Sequence, residues 1–131
     1  MTEQVEAFKA LADDTRLRIL NLLLNVGCEL CCCELTDSLE EPQYNVSKHL
    51  KILRQAGLIE GRQEGRWVYY SLPKKPDAFR KGLLDSVRSL PETRCLKKDA
   101  KQLERRMSMR QNGKCTLGVL HEKSKGGKNA T

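Results

Sequence analysis

Apolar residues recur with a helical period along most of this chain. Val5, Phe8 and Leu11 fall on one stripe, which predicts a short first helix over residues 3–11. Asp13 or Asp14 can cap a second helix reaching about Asn25. That helix is apolar nearly all round, through Leu17, Ile19, Leu20, Leu23 and Leu24, so it is expected to be central and buried. Gly27 stops it. A third helix over about 33–40 turns Leu35 and Leu39 inward. Pro42 then marks a break, and its fixed φ suits the start of a helix. From Gln43 to Ala56 the apolar residues are Val46, Leu50 and Leu53, spaced i, i+4, i+7. Tyr44, Lys48, Lys51 and Gln55 lie opposite that stripe, flanked by Asn45 and Ser47. Gly57 ends the helix.

The period then changes to two. "LIEGR" (58–62) and "RWVYYSL" (66–72) are rich in β-branched and aromatic residues and predict two strands. "QEG" between them supplies a tight turn, with Gly65 free to take positive φ. Val68, Tyr70 and Leu72 share one face of the second strand; Trp67, Tyr69 and Ser71 share the other. After Pro73 and Pro76 a helix over about 77–90 carries Phe79, Leu83, Leu84, Val87 and Leu90, and Pro91 breaks it. Leu96, Ala100, Leu103 and Met107 predict one more amphipathic helix over about 96–110, capped by Asn112-Gly113. The end, "KSKGGKNAT" (123–131), is small, basic and polar, and reads as disordered. No internal repeat is visible.

This order of elements is that of a winged helix-turn-helix, a mainly α fold with a β-hairpin (α+β). The helices at 33–40 and 43–56 are joined by a very short link, and the second would enter the major groove of DNA. The hairpin tip would be the wing, carrying Arg62 and Arg66 toward phosphates. The chain thus divides into a winged domain over 1–90 and an arm over 91–131.

Charge sharpens that division. The net charge of +7 is placed unevenly: residues 1–39 carry −4, residues 40–75 carry +3, residues 76–90 carry +1 and residues 91–131 carry +7. A basic middle and a strongly basic arm suggest an acidic partner such as nucleic acid, the alternative being a solvated surface with a loose tail. No run of about 18 apolar residues occurs, so no membrane span is expected. The acidic, amphipathic start lacks the basic and apolar regions of a secretion signal. A reducing cytoplasm is the expected setting, where close cysteines usually mean metal or redox chemistry.

Four of the six cysteines crowd into "CELCCCEL", residues 28–35. Side chains alternate along an extended segment, so Cys31 and Cys33 can share a side while Cys32 faces away. Cys28-Glu29-Leu30-Cys31 has the spacing of a thiol oxidoreductase, but no βαβ pattern surrounds it and no catalytic set accompanies it, so an enzyme is not expected.

"LADDTRLRILNLL", "ELCCCEL" and "NVSKHLKILRQAGLIEGRQEGRWVYYSL" together resemble the ArsR/SmtB family of metal-responsive bacterial repressors, over roughly residues 5–90. The resemblance implies a homodimer, joined through the first helix and the 77–90 helix, that binds a palindromic DNA operator and leaves it when a toxic metal ion binds. Base-edge contacts would come from Gln43, Asn45 and Ser47, with Tyr44 and Lys48 beside them. Lys51, Arg54, Arg62 and Arg66 would touch phosphates, and His49 either DNA or a structural partner.

In the arsenic-responsive branch the motif is E-L-C-x-C-x-x-C. This chain matches its first two cysteines at Cys31 and Cys33, and Thr36 occupies the third position. Clustered thiolates select soft ions, so arsenite or antimonite is the inducer the resemblance implies, with cadmium or lead, or a thiol-redox switch, as alternatives. The third ligand could be Cys115, Cys95, Cys32 or Cys28, with Cys115 favoured. The family's zinc site on the dimer helix needs histidine, and Asp85-Ser86-Val87 offers none. Drawing Cys31 and Cys33 onto one ion would distort the start of the third helix and tilt the recognition helix it supports.

Overall fold

The helical and alternating periods become nine elements in a computed structural model, which describes residues 1–121; the disordered tail expected over 123–131 lies outside the described residues. Helices α1 (Thr2–Leu11) and α2 (Asp14–Val26) are followed by a short strand β1 (Leu30–Cys31). Helices α3 (Cys32–Leu39) and α4 (Gln43–Gln55), strands β2 (Glu60–Glu64) and β3 (Trp67–Ser71), and helices α5 (Ala78–Arg88) and α6 (Arg94–Met107) complete the order. Boundaries follow the local chemistry. Asp13 caps α2 by accepting the Arg16 N–H at 3.0 Å. Gly27 ends α2 in the left-handed region, with φ 72°, and Gly65 takes φ 61° in the hairpin turn.

The strands form one antiparallel sheet in the order β1-β3-β2. β1 pairs Leu30 with Tyr70 and Cys31 with Tyr69. The central strand therefore serves two cores. Tyr70 and Leu72 pack on the main one, built from α2, α3 and α4 around Leu20, Leu35, Leu50 and Leu53. Trp67 and Tyr69 pack on a second, smaller cluster with Cys31, Cys33, Cys115 and Val119. Each buried leucine contributes roughly 1.5–3 kcal/mol, so the main core holds the fold without any disulfide.

On the α1 stripe Val5 is 41% and Phe8 56% exposed, while Ala7 and Ala10 are buried. Phe8 meets Phe79 of α5 edge-on, ring centroids 5.5 Å apart, on an open face. Two expectations change, both in the arm. Helix α6 buries Asp99 and Arg106 beside Leu103 and leaves Ala100 exposed. Asn112-Gly113 does not cap α6, which ends at Met107. Asn112 (φ 55°) and Gly113 (φ 73°) form a tight reversal in which Gln111 and Lys114 exchange backbone hydrogen bonds of 2.9 and 3.0 Å. That reversal sends the chain back toward β1.

Candidate metal centre and nucleic-acid interface

The cysteine stretch straddles a strand end and a helix start. Cys31 closes β1 and is the N-cap of α3; its N–H donates to Glu34 Oε1 at 3.0 Å, and its sulfur faces the N–H of Glu34, a capping box with a thiol in the usual hydroxyl's place. Cys33 lies in the first turn of α3, buried beside it. The arm brings the third thiol. Arg18 of α2 grips Asp99 of α6 through Nε and Nη2, at 2.8 and 2.9 Å. Arg106 Nε binds Asp37 Oδ2 of α3 at 2.7 Å. Arg110 holds the Glu34 carboxylate through Nε and Nη2, both at 2.6 Å. The Asn112-Gly113 reversal follows, and the Cys115 N–H donates to the Tyr69 hydroxyl at 3.1 Å.

Cys31, Cys33 and Cys115 are thereby buried together. Cys33 and Cys115 are the two thiols that neighbour the Cys31 thiol. The sulfurs of Cys31 and Cys115 and a carboxylate oxygen of Glu34 all lie within 4.8 Å of one another. The neighbouring Cys33 thiol and burial push the Cys31 thiol well above its ordinary range. Burial, with Cys31 alongside, pushes Cys115 up to about 12. Cys31 and Cys115 therefore stay protonated at neutral pH until something displaces those protons.

The other cysteines do not join it. Cys32 faces away, as alternation required, but for a different reason: helix α3 already begins there. Its sulfur lies 3.5 Å from Ser47 Oγ on α4 and 3.8 Å from Thr36 Oγ1. Cys28 and Cys95 are exposed, in the α2–β1 loop and the first turn of α6. Thr36 is fully buried and offers no thiolate. Sequence reasoning missed Glu34, Asp37, Arg106 and Arg110. A signal existed on α3, where Glu34 and Asp37 are three apart and so occupy neighbouring turns; Arg106 lies in the last turn of α6 and Arg110 three residues past its end.

The opposite side of α4 carries an open polar face. Tyr44, Asn45, Ser47, Lys48, Lys51 and Arg54 are exposed there, and Gln43 is half-buried at its start. Val46, Leu50 and Leu53 anchor the helix beneath them. Two expected members are engaged elsewhere. His49 turns back to Arg16 Nη1, 3.0 Å from Nδ1, with Asp13 at 3.8 Å, and its burial lowers its pKa. Arg62 pairs with Glu29 at 2.7 Å and Glu64 at 2.8 Å, so its charge is compensated within the sheet. Arg66 projects at the hairpin tip, over the Trp67 ring at 4.7 Å from its centroid.

Residues 13–60 match the model of the bacterial regulatory protein, arsR family. The chain is 49% identical over 83 residues to the arsenic resistance transcriptional regulator ArsR1 of Pseudomonas putida, spanning 60% of this chain and 64% of that protein. It is 41% identical over 83 residues to the arsenical resistance operon repressor of Escherichia coli, spanning 63% of this chain and 70% of that one. The chain belongs to the arsR family of bacterial regulatory proteins. A solved neighbour in fold is HlyU from Vibrio cholerae, with TM-score 0.56, 35% identity, and coverage of 66% of this chain and 88% of that one. The family match holds α2 to α4, hence Cys31, Cys33 and the polar face of α4, but stops short of the arm that carries Cys115.

Proposed function

We propose that this arsR-family chain is a transcriptional repressor of a metal(loid)-resistance operon, acting in the cytoplasm as a regulator rather than an enzyme. Arsenite or antimonite binding at Cys31, Cys33 and Cys115 releases it from DNA. The observation that carries this reading is the burial in one cluster of three thiols, Cys31 with Cys33 and Cys115 as its neighbours, drawn from both the winged domain and the arm, beneath the helix that leads into α4. Trivalent arsenic takes three sulfurs in a pyramid. Glu34, the nearest candidate for a fourth ligand, is already held by Arg110 and the Cys31 N–H, which disfavours the four-coordinate geometry of zinc or cadmium. The relatives support the same class, since they are named as arsenic or arsenical resistance regulators, and a Staphylococcus aureus relative as a cadmium resistance regulatory protein homolog.

The route from thiols to DNA runs along the arm. Beyond Cys115, the carbonyls of Leu117 and Gly118 accept from Arg106, and the N–H groups of Leu120 and His121 donate to Asp37. His121 Nε2 reaches the Glu41 carbonyl at 2.9 Å. Glu41 immediately precedes Pro42, the N-cap of α4. Drawing Cys115 onto Cys31 and Cys33 thus shifts the first turn of α3 and the strap on the α3–α4 turn together. A coupling of ~1–3 kcal/mol weakens operator binding about 5–150-fold. The open apolar face of α1 and α5, with Val5, Phe8 and Phe79, supports pairing of two copies on a palindromic operator.

Two expected results follow from the polar face and the thiols. Asn45→Ala costs ~1–3 kcal/mol at its operator base pair, whereas Lys51→Gln weakens all sequences alike and lowers the salt slope by about 1; competition against single-base operator variants at several salt concentrations separates them. The second concerns pH. Trivalent arsenic arrives as its neutral trihydroxide, and three thiols displace three hydroxides as water. No proton is released, so arsenite affinity is flat across the neutral range. A divalent cation must expel the thiol protons, and with Cys115 held up to about 12 its affinity rises with pH throughout that range. Calorimetric titration at a series of pH values distinguishes the two; arsenite affinity that climbs with pH would count against thiols held protonated.

The experiment that tests the function is fluorescence anisotropy on a labelled fragment from the gene's upstream region, titrated separately with arsenite, antimonite, cadmium, zinc and peroxide. Release by arsenite or antimonite supports the reading. Release by cadmium alone, or by peroxide alone, replaces it with a divalent-metal or a redox sensor.

A further inference from the structure

We propose that Arg110 determines which inducers the thiol centre accepts, by holding the Glu34 carboxylate out of the ligand set. This rests on the thiol-centre reading above and concerns the selectivity of that centre.

Glu34 is fully buried, and its carboxylate lies within 4.8 Å of the sulfurs of Cys31 and Cys115. By position its carboxylate is a ready third ligand beside those two sulfurs. Its lone pairs, however, point elsewhere. Oε1 accepts from the Cys31 N–H and from Arg110 Nη2, and Oε2 accepts from Arg110 Nε. Arg110 is itself fixed from several sides. Nη2 also reaches the Glu29 carbonyl at 2.8 Å, Nη1 reaches the Gly113 carbonyl at 3.3 Å, and the guanidinium lies 5.8 Å from the centroid of the Tyr69 ring. Gly113 belongs to the reversal that delivers Cys115, so one side chain both sets the third thiol and occupies the carboxylate.

The charge balance shows what this excludes. With Arg110 in place, Glu34 and Arg110 pair, and replacing the three hydroxides of arsenic trihydroxide by three thiols, with loss of three waters, introduces no charge. A divalent cation binding the same three sulfurs as thiolates leaves a buried net charge of −1, which burial penalises. If Glu34 were free, the cation could take the thiolates of Cys31 and Cys115 and the Glu34 carboxylate, expelling two protons. The site would then carry −1 before and after binding. Arg110 blocks that set, because surrendering Glu34 would leave its own guanidinium half-buried and unpaired.

The test uses the full chain with its thiols reduced. Cadmium binding is read by thiolate-to-metal charge-transfer absorption, and arsenite by competition against it. Arg110→Gln is expected to raise the cadmium-to-arsenite affinity ratio ~10–100-fold, the scale on which groups holding a ligand tune metal affinity. Arg110→Lys, which keeps the charge but not the fork, is expected to fall between, and it carries the test if Arg110→Gln does not fold. Adding Glu34→Gln to Arg110→Gln removes the carboxylate and is expected to return the ratio toward wild type. An unchanged ratio in the single variants, or a gain that survives Glu34→Gln, overturns the assignment while leaving the thiol centre standing. Failure of the unaltered chain to bind either ion through its thiols overturns both.

Discussion

Cys115→Ala leaves operator binding intact and abolishes release by arsenite. Cys115 sits in the arm, far from the exposed face of α4, so its removal takes nothing from the DNA contacts. It does take one of the three buried sulfurs, and the pyramid that trivalent arsenic requires is then incomplete. Changing groups that merely orient a ligand costs 10–100-fold in affinity, so losing a ligand costs at least ~100-fold. Cys31→Ala and Cys33→Ala are expected to behave alike. Cys28→Ala and Cys95→Ala, both at exposed positions, leave the response unchanged. Cys32→Ala keeps inducer binding, since that sulfur faces Ser47 and Thr36. Anisotropy titrations on one DNA fragment compare all six. Normal release of the Cys115→Ala chain would remove the arm from the sensing site.

The second large effect is on closure of the arm. Asp37 is the point at which α3 receives it: one carboxylate accepts Arg106 Nε and the N–H groups of Leu120 and His121. Arg106 is 3% exposed. Asp37→Ala therefore strands a buried guanidinium and frees two backbone donors. Breaking a buried pair from one side costs about 3–5 kcal/mol. The main core does not depend on this pair, so the loss falls on the arm's local opening rather than on the whole fold. At about 1.4 kcal/mol per tenfold, Cys115 becomes reactive toward a thiol reagent at least ~100-fold faster. A background lacking Cys28 and Cys95 keeps their exposed thiols from masking the change. Asp37→Asn retains an acceptor oxygen and has a smaller effect. Unchanged reactivity in Asp37→Ala would mean that other contacts hold the arm.

The winged domain was legible because its signals are local. Gly27, Pro42 and Gly57 punctuate helices whose apolar spacing is strong, and the hairpin turns where Gly65 allows it. The mistakes lie in the arm and have a different origin. In α6 the apolar spacing chose a face through Ala100, yet the buried face holds Asp99 and Arg106. Those charges are satisfied by Arg18 and Asp37, which lie 81 and 69 positions away along the chain. No window along the sequence reads such a pairing. Asn112-Gly113 reads in the sequence as the cap of that helix. As a chain reversal it is what makes Cys115 the third member of the cluster. The separation of Cys32 from its neighbours followed from alternation, although only Cys31 is in a strand and Cys33 is already helical.

The central claim is that the arm completes a three-thiol centre for a trivalent metalloid. X-ray absorption at the arsenic edge, on the arsenite-loaded full chain, tests it most directly by counting the arsenic's neighbours. The account predicts three sulfurs and no oxygen in the unaltered protein, and two sulfurs with an oxygen once Cys115→Ala is introduced. Two sulfurs and an oxygen in the unaltered protein, or three sulfurs that persist without Cys115, would contradict it.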